Sequence, residues 1–179
     1  MVPSRLFIVL LIVFFGVLPL VSPADEDSTA IISEIQYHPV GTASEWIEFH
    51  NLQGVNLEVG GWKLAGAVTY TIPADTVIPG HGYLVIAATP GDPSLTGTGA
   101  LGPWSGSLSN GGEEIRLENK NGRVMDLVNY NDGGRWPIGA DGSAAALARI
   151  DVESAASEPA RWSASRTAGG TPGNVNFTG

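Results

Sequence analysis

Glu45 and Glu48 flank Trp46 in the stretch Ser44–Asn51, which reads S-E-W-I-E-F-H-N. Paired carboxyls of this kind could serve general acid–base chemistry. Their spacing argues against a shared site. The stretch alternates as a strand does, with Ile47 and Phe49 toward one face and Glu48 and His50 toward the other. Glu45 and Glu48 stand three positions apart, so their side chains leave a strand on opposite faces. A hydrogen-bonding or solvated role is the favoured reading of both. Asn51 closes the stretch as a residue suited to leaving a strand.

The other chemistry-bearing residues meet similar objections. His38, His50 and His81 could gather around a metal, yet each lies in or beside a turn and none shows a ligand spacing such as H-x-x-x-H. Asn129, Asn131, Asp132 and Asp141 lie in and around a Gly-rich loop, and oxygen ligands of that kind suit calcium. The spacing is not that of an EF-hand, and ordinary turn chemistry explains the same residues. Trp62, Trp104 and Trp136 could form an exposed aromatic platform for a sugar, whereas Trp46, Trp62 and Trp162 fit sheet packing as well. Trp104 is the best candidate for ligand contact, because it sits in a long Gly/Ser loop; the competing reading makes it an anchor of that loop. Nucleophile logic fails. There is no cysteine and no G-x-S-x-G elbow, and nothing around Ser33, Ser44 or Ser109 marks an activated hydroxyl. No catalytic residue and no cofactor is expected.

The elements that must position these residues are short strands. Gly and Pro, 24 and 12 in number, fall between the apolar runs as turns do. The pattern predicts a first strand over Ile31–Tyr37, with Ile31, Ser33, Ile35 and Tyr37 sharing a face. Further strands follow at 45–51, 61–65 and 68–72. The stretch Tyr83–Ala88 is apolar on both faces and reads as a central strand. Residues 89–106, rich in Gly, Pro, Ser and Thr, form the least structured part and are long for a connection. Glu113–Glu118 alternates, with Ile115 and Leu117 inward. Asn121-Gly122 predicts a type I′ hairpin turn to a partner strand over Arg123–Tyr130. Ala144–Ile150 reads as a last strand or one helical turn. About seven to nine short strands with such turns predict an all-β, immunoglobulin-like β-sandwich.

The chain of 179 residues begins outside that pattern. Arg5 is followed by 16 almost unbroken apolar residues, Leu6–Val21, and then by Ser22-Pro23-Ala24 before the acidic Asp25-Glu26-Asp27. This is the form of a secretory signal peptide over residues 1–24, cleaved after Ala24. The apolar run is shorter than the roughly 20 residues that span a bilayer, which disfavours a retained anchor. Residues 25–30 are a polar lead-in. The formal net charge is −9, and cleavage would remove the positive Arg5. So acidic a chain repels phosphate, and nucleic acid is not an expected partner. Without cysteine the exported protein has no disulfides. A domain of about 150 residues buries roughly 68–70% of its unfolded surface and folds without them.

The ordered motifs I-S-E-I, E-W-I-E-F-x-N, G-W-K-L, V-I-P-G-x-G-Y-L-V-I-A, L-S-N-G-G-E-E-I-R-L, N-G-R-V-M-D-x-V-x-Y, R-W-P and T-P-G-N-V-N resemble the lamin tail domain family. The likeness runs from about Ile31 to Asn176 and is greatest to its bacterial, exported members. It implies an immunoglobulin-like β-sandwich over residues 31–176 and a non-enzymatic module that binds or tethers. The expected location is outside the cell or in the periplasm or envelope. The expected partner is an envelope or extracellular protein or glycan. The chain departs from nuclear lamins in having no a/d heptads, so filament formation does not carry over. Two other readings stand beside this one. One is a carbohydrate-binding module using Trp104. The other is an accessory domain at the front of a longer exported hydrolase or nuclease.

Overall fold

The computed structural model describes residues 29–152 and 156–177. The leader expected at residues 1–24, and the lead-in as far as residue 28, lie outside the described residues.

The architecture is all-β, as the turn-punctuated pattern requires. Helix among the described residues is confined to single 3-10 turns at Pro93–Leu95, Ile138–Ala140 and Pro159–Arg161. The strands are β1 (Ala30–Gln36), β2 (Trp46–Asn51), β3 (Leu57–Glu58), β4 (Lys63–Gly66), β5 (Val68–Thr71), β6 (Val77–Ile78), β7 (Tyr83–Ala87), β8 (Ser105–Gly106), β9 (Gly112–Glu118), β10 (Val124–Asn131), β11 (Ala145–Arg149) and β12 (Trp162–Ala168). One sheet has the order β12-β11-β1-β2-β7 and the other β10-β9-β4-β5-β8, while β3 and β6 form a small ribbon. The two sheets make a β-sandwich. Ile32, Ile35, Ile47 and Phe49 of the first share a core with Leu64, Val68, Ile115, Leu117 and Val128 of the second. Each such side chain, fully buried, contributes about 1.5–3 kcal/mol.

Strand β1 departs from the expected phase. Its register against β2 shifts between Ile32 and Glu34, so Ser33 is the extra residue of a bulge. Ile32 therefore joins Ile35 and Tyr37 in the core, and Ile31 leaves that face. Strict alternation fails here because one inserted residue reverses the faces on one side of it. At the same place the Ile32 N–H donates to Asp126 Oδ2 at 2.8 Å. Asp126, on β10, pairs with Arg149, on β11, at 2.8 Å. Both side chains are almost fully buried, 1% and 2% exposed, and the pair ties one sheet to the other.

Strand β7 is an edge strand, not the central one its two apolar faces predict. Leu84 and Ile86 pack toward the shared core. Val85 and Ala87 belong to a second apolar cluster with Trp46, Leu95 and Ala146. The second cluster exists because residues 89–101 roof the outer face of the sheet. Leu101 also covers the open edge: its N–H donates to the Val85 carbonyl and its carbonyl accepts from the Ala87 N–H, both at 2.9 Å. The segment expected to be least structured is thus a folded cover. It turns through Pro93–Leu95 and brings Trp104, only 7% exposed, into the main core just before β8. Of the two readings of Trp104, that burial bears out the loop anchor and corrects the exposed ligand platform.

The β9–β10 turn is also not the expected type I′. Gly122 N–H donates to the Asn119 carbonyl at 2.9 Å, and Asn119 N–H to the Arg123 carbonyl at 2.8 Å. Gly122, at φ 80°, takes the left-handed position, and Lys120 and Asn121 do not. This is the longer hairpin in which a left-handed residue follows an ordinary turn. Asn119 Oδ1 selects it by accepting from the N–H groups of both Asn121 and Arg123.

Asn51 ends β2 and holds the small ribbon to it. It is fully buried, its Nδ2 donates to the carbonyls of Val55, Ile78 and Pro79, and its Oδ1 accepts from Gln53 N–H. Asn51→Ala is expected to cost about 1–3 kcal/mol, the penalty for stranding buried carbonyls. Urea unfolding measures this; an unchanged midpoint would show that the ribbon is not anchored here.

Candidate functional site

Glu45 and Glu48 do not meet. Glu45 Oε2 accepts from Leu108 N–H at 3.0 Å, and burial pushes its carboxyl up. Glu48 lies across the sheet, and the residue it meets is Glu34. The two are direct partners in the β1–β2 register, so both point from the outer face. Neither is exposed to solvent. Each is a single acid inside an apolar run, I-S-E-I and W-I-E-F, and that isolation was the available signal. The bulge at Ser33 brings them onto one face.

The cover over this pair is residues 169–177, the segment containing T-P-G-N. Thr171 N–H donates to Glu34 Oε2 at 2.9 Å, and Gly173 N–H to Glu48 Oε2 at 2.6 Å. Ser33 Oγ donates to Glu48 Oε1 at 2.7 Å. Asn176 Nδ2 donates to the Ser33 carbonyl at 2.8 Å and fastens the far end of the strap. Gly170 packs directly on Trp46 and Glu34. An added Cβ there would stand 2.7 Å from the Trp46 ring and 2.9 Å from Glu34 Oε1, and the residue's φ of 76° suits glycine.

Burial dominates the electrostatics. It pushes Glu34 up to about 7, against the opposing bonds from Thr171. It pushes Glu48 up to about 8, with the bonds from Ser33 and Gly173 opposing it and the Glu34 charge adding to it. A carboxyl with such a value suits proton transfer near neutrality. Here the donors around the pair are the chain's own, and the closed strap covers it.

Of the remaining candidates His50 and His81 lie beside one another, and the others take separate partners. His38 Nδ1 lies 2.6 Å from Asp141 Oδ1. His50 stacks on Tyr83 with ring centroids 4.5 Å apart, and burial lowers its pKa. The His81 N–H donates to the Gln53 carbonyl. Asn131 spends its side chain on Gly111 and Gly133, and Asp141 spends an oxygen on His38. Asn129 and Asp132 are exposed. Among the described residues no three His, Asp or Glu side chains gather where they could hold a metal. Trp104 is a core residue and offers no platform; Trp62 is likewise buried, and Trp136 packs on Trp162 with centroids 6.3 Å apart.

A family model, Lamin Tail Domain, matches residues 23–132, more than half of the chain. The chain belongs to the lamin tail domain family. A search of curated proteins finds no match. The family match takes in the strands of this lamin tail domain from β1 to β10, and with them Glu34 and Glu48. The strap that seals the two carboxyls, and the strands β11 and β12 that complete the first sheet, lie beyond the matched range.

Proposed function

We propose that this lamin tail domain is an exported, non-catalytic module of immunoglobulin-like type that binds or tethers at the cell envelope or outside the cell. The observation that carries the reading is the sealing of Glu34 and Glu48. These buried, paired carboxyls hold chain to chain, and the strap leaves no position for a reacting group. Family membership supports the same reading. Export rests on residues 1–24, whose basic start, apolar run and small residues before Asp25 have the form of a cleaved leader. The envelope or extracellular partner, protein or glycan, follows from that location.

The test is expression of the full chain in a secreting host. The product is expected outside the cytoplasm, with Asp25 as its first residue, and to be inert toward phosphodiester and glycoside substrates. A cytoplasmic product that keeps residues 1–24 would overturn the export reading. Turnover abolished by a point substitution would overturn the non-catalytic one.

A further inference from the structure

Glu34 and Glu48 face one another across adjacent strands, fully buried, beneath a strap that meets them with backbone N–H groups. Glu34 Oε2 accepts from both the N–H and the hydroxyl of Thr171, whereas Glu34 Oε1 has no hydrogen-bond partner. An oxygen left without donors costs less on a neutral carboxyl than on an ionised one, so the site favours the neutral acid. A second strap contact is independent of protonation, the Asn176 bond to the Ser33 carbonyl. The strap enters through Gly169 and Gly170, both at positive φ.

We propose that Glu34 and Glu48 are a proton-operated latch: the strap 169–177 lies closed while the pair holds a proton and lifts when both carboxyls are ionised, uncovering them and the edge of Trp46 beneath Gly170.

The sign follows from linkage. With the strap closed, burial holds the two carboxyls at about 7 and about 8, above the ordinary 4.5. With the strap lifted, both return to water and toward that ordinary value. Closure is fully favoured below the ordinary value and is lost as pH rises through the two raised ones. Each titrating carboxyl lowers the closed-to-open ratio about tenfold per pH unit within that window.

The surrounding groups do not offset this. Tyr83 on β7 is itself pushed up, by burial and by the Glu48 and Glu34 charges. His50 on β2 is lowered, so it is neutral in the upper part of the window. Arg149 on β11 is committed to Asp126, and Arg166 on β12 lies against the Phe177 ring at 5.6 Å. Asp92, on the roofing segment, is spent on Ser94. Residues 169–177 carry no titratable side chain. The latch rests on the same closed strap as the non-catalytic reading, and the two fail separately: amide exchange in the strap tests the latch, and turnover tests that reading.

Amide hydrogen exchange on the intact protein tests it, between about pH 6 and about pH 9 and corrected for intrinsic rates. Protection of the Thr171 and Gly173 amides is expected to fall at least about tenfold across that range, while the β4–β9 amides keep theirs. Glu34→Gln, a neutral isostere that retains an acceptor for Thr171, leaves one titrating carboxyl and is expected to shrink the fall, as is Glu48→Gln; the variant with both substitutions is expected to keep the strap protected throughout. Strap protection that ignores pH in the parent protein would overturn the latch. So would loss of strap and core protection together, or a Gln variant that follows the parent profile.

Discussion

Replacing Arg149 with methionine is expected to remove about 3–5 kcal/mol of stability at neutral pH, the usual cost of leaving a buried charge without its partner. The pair is buried on both sides, and Asp126 Oδ2 also carries the Ile32 N–H. Burial already pushes the Asp126 carboxyl up, and the Arg149 charge is the first of the influences that pull it back. Without the guanidinium the carboxyl rises further and takes up a proton in the folded state. The deficit should therefore be greatest above the raised value and shrink as pH falls from it toward the ordinary one. Asp126→Asn in the same background is expected to recover at least about half of the loss, since it removes the lone charge and keeps an acceptor for Ile32. Urea unfolding of the three proteins measures this. A single variant as stable as the parent would show that the pair is not the tie between the sheets.

Trp104→Ala is expected to cost about 3–5 kcal/mol, the range for emptying a large aromatic from a core. Trp104 is 7% exposed and sits in the main core between the roofing segment and β8. Its indole N–H has no acceptor, so Trp104→Phe deletes an unsatisfied donor and should cost much less. The two variants separate packing from recognition. A surface platform would lose ligand retention with unchanged stability; a core anchor loses stability first. Thermal unfolding of both variants decides between them, and an alanine variant with an unshifted midpoint would return Trp104 to the surface.

Where a strand repeats strictly, its faces were legible. Ile47 and Phe49, and Ile115 and Leu117, turn inward as their alternation requires. The region 144–150 was open between strand and helical turn, and pairing of Leu147 with both Ile35 and Ala164 makes Ala145–Arg149 a strand. Strand β12 gave little local sign, because W-S-A-S-R-T-A carries a single large apolar residue at its start. It is a strand through its pairing to β11.

The sequence by itself determined the all-β class, the family and the inward faces of the regular strands. Those follow from period-two apolar spacing, from Gly and Pro between runs and from motif order, all readable within a few residues. Tertiary structure alone decided the phase of β1, the edge position of β7, the burial of Trp104 and the pairing of Glu34 with Glu48. Each depends on a partner far along the chain. The Ile32 amide meets a carboxylate 94 positions away, and Glu34 meets Thr171 across 137. Burial and desolvation are properties of what covers a side chain, and here the covers are the roof at 89–101 and the strap at 169–177.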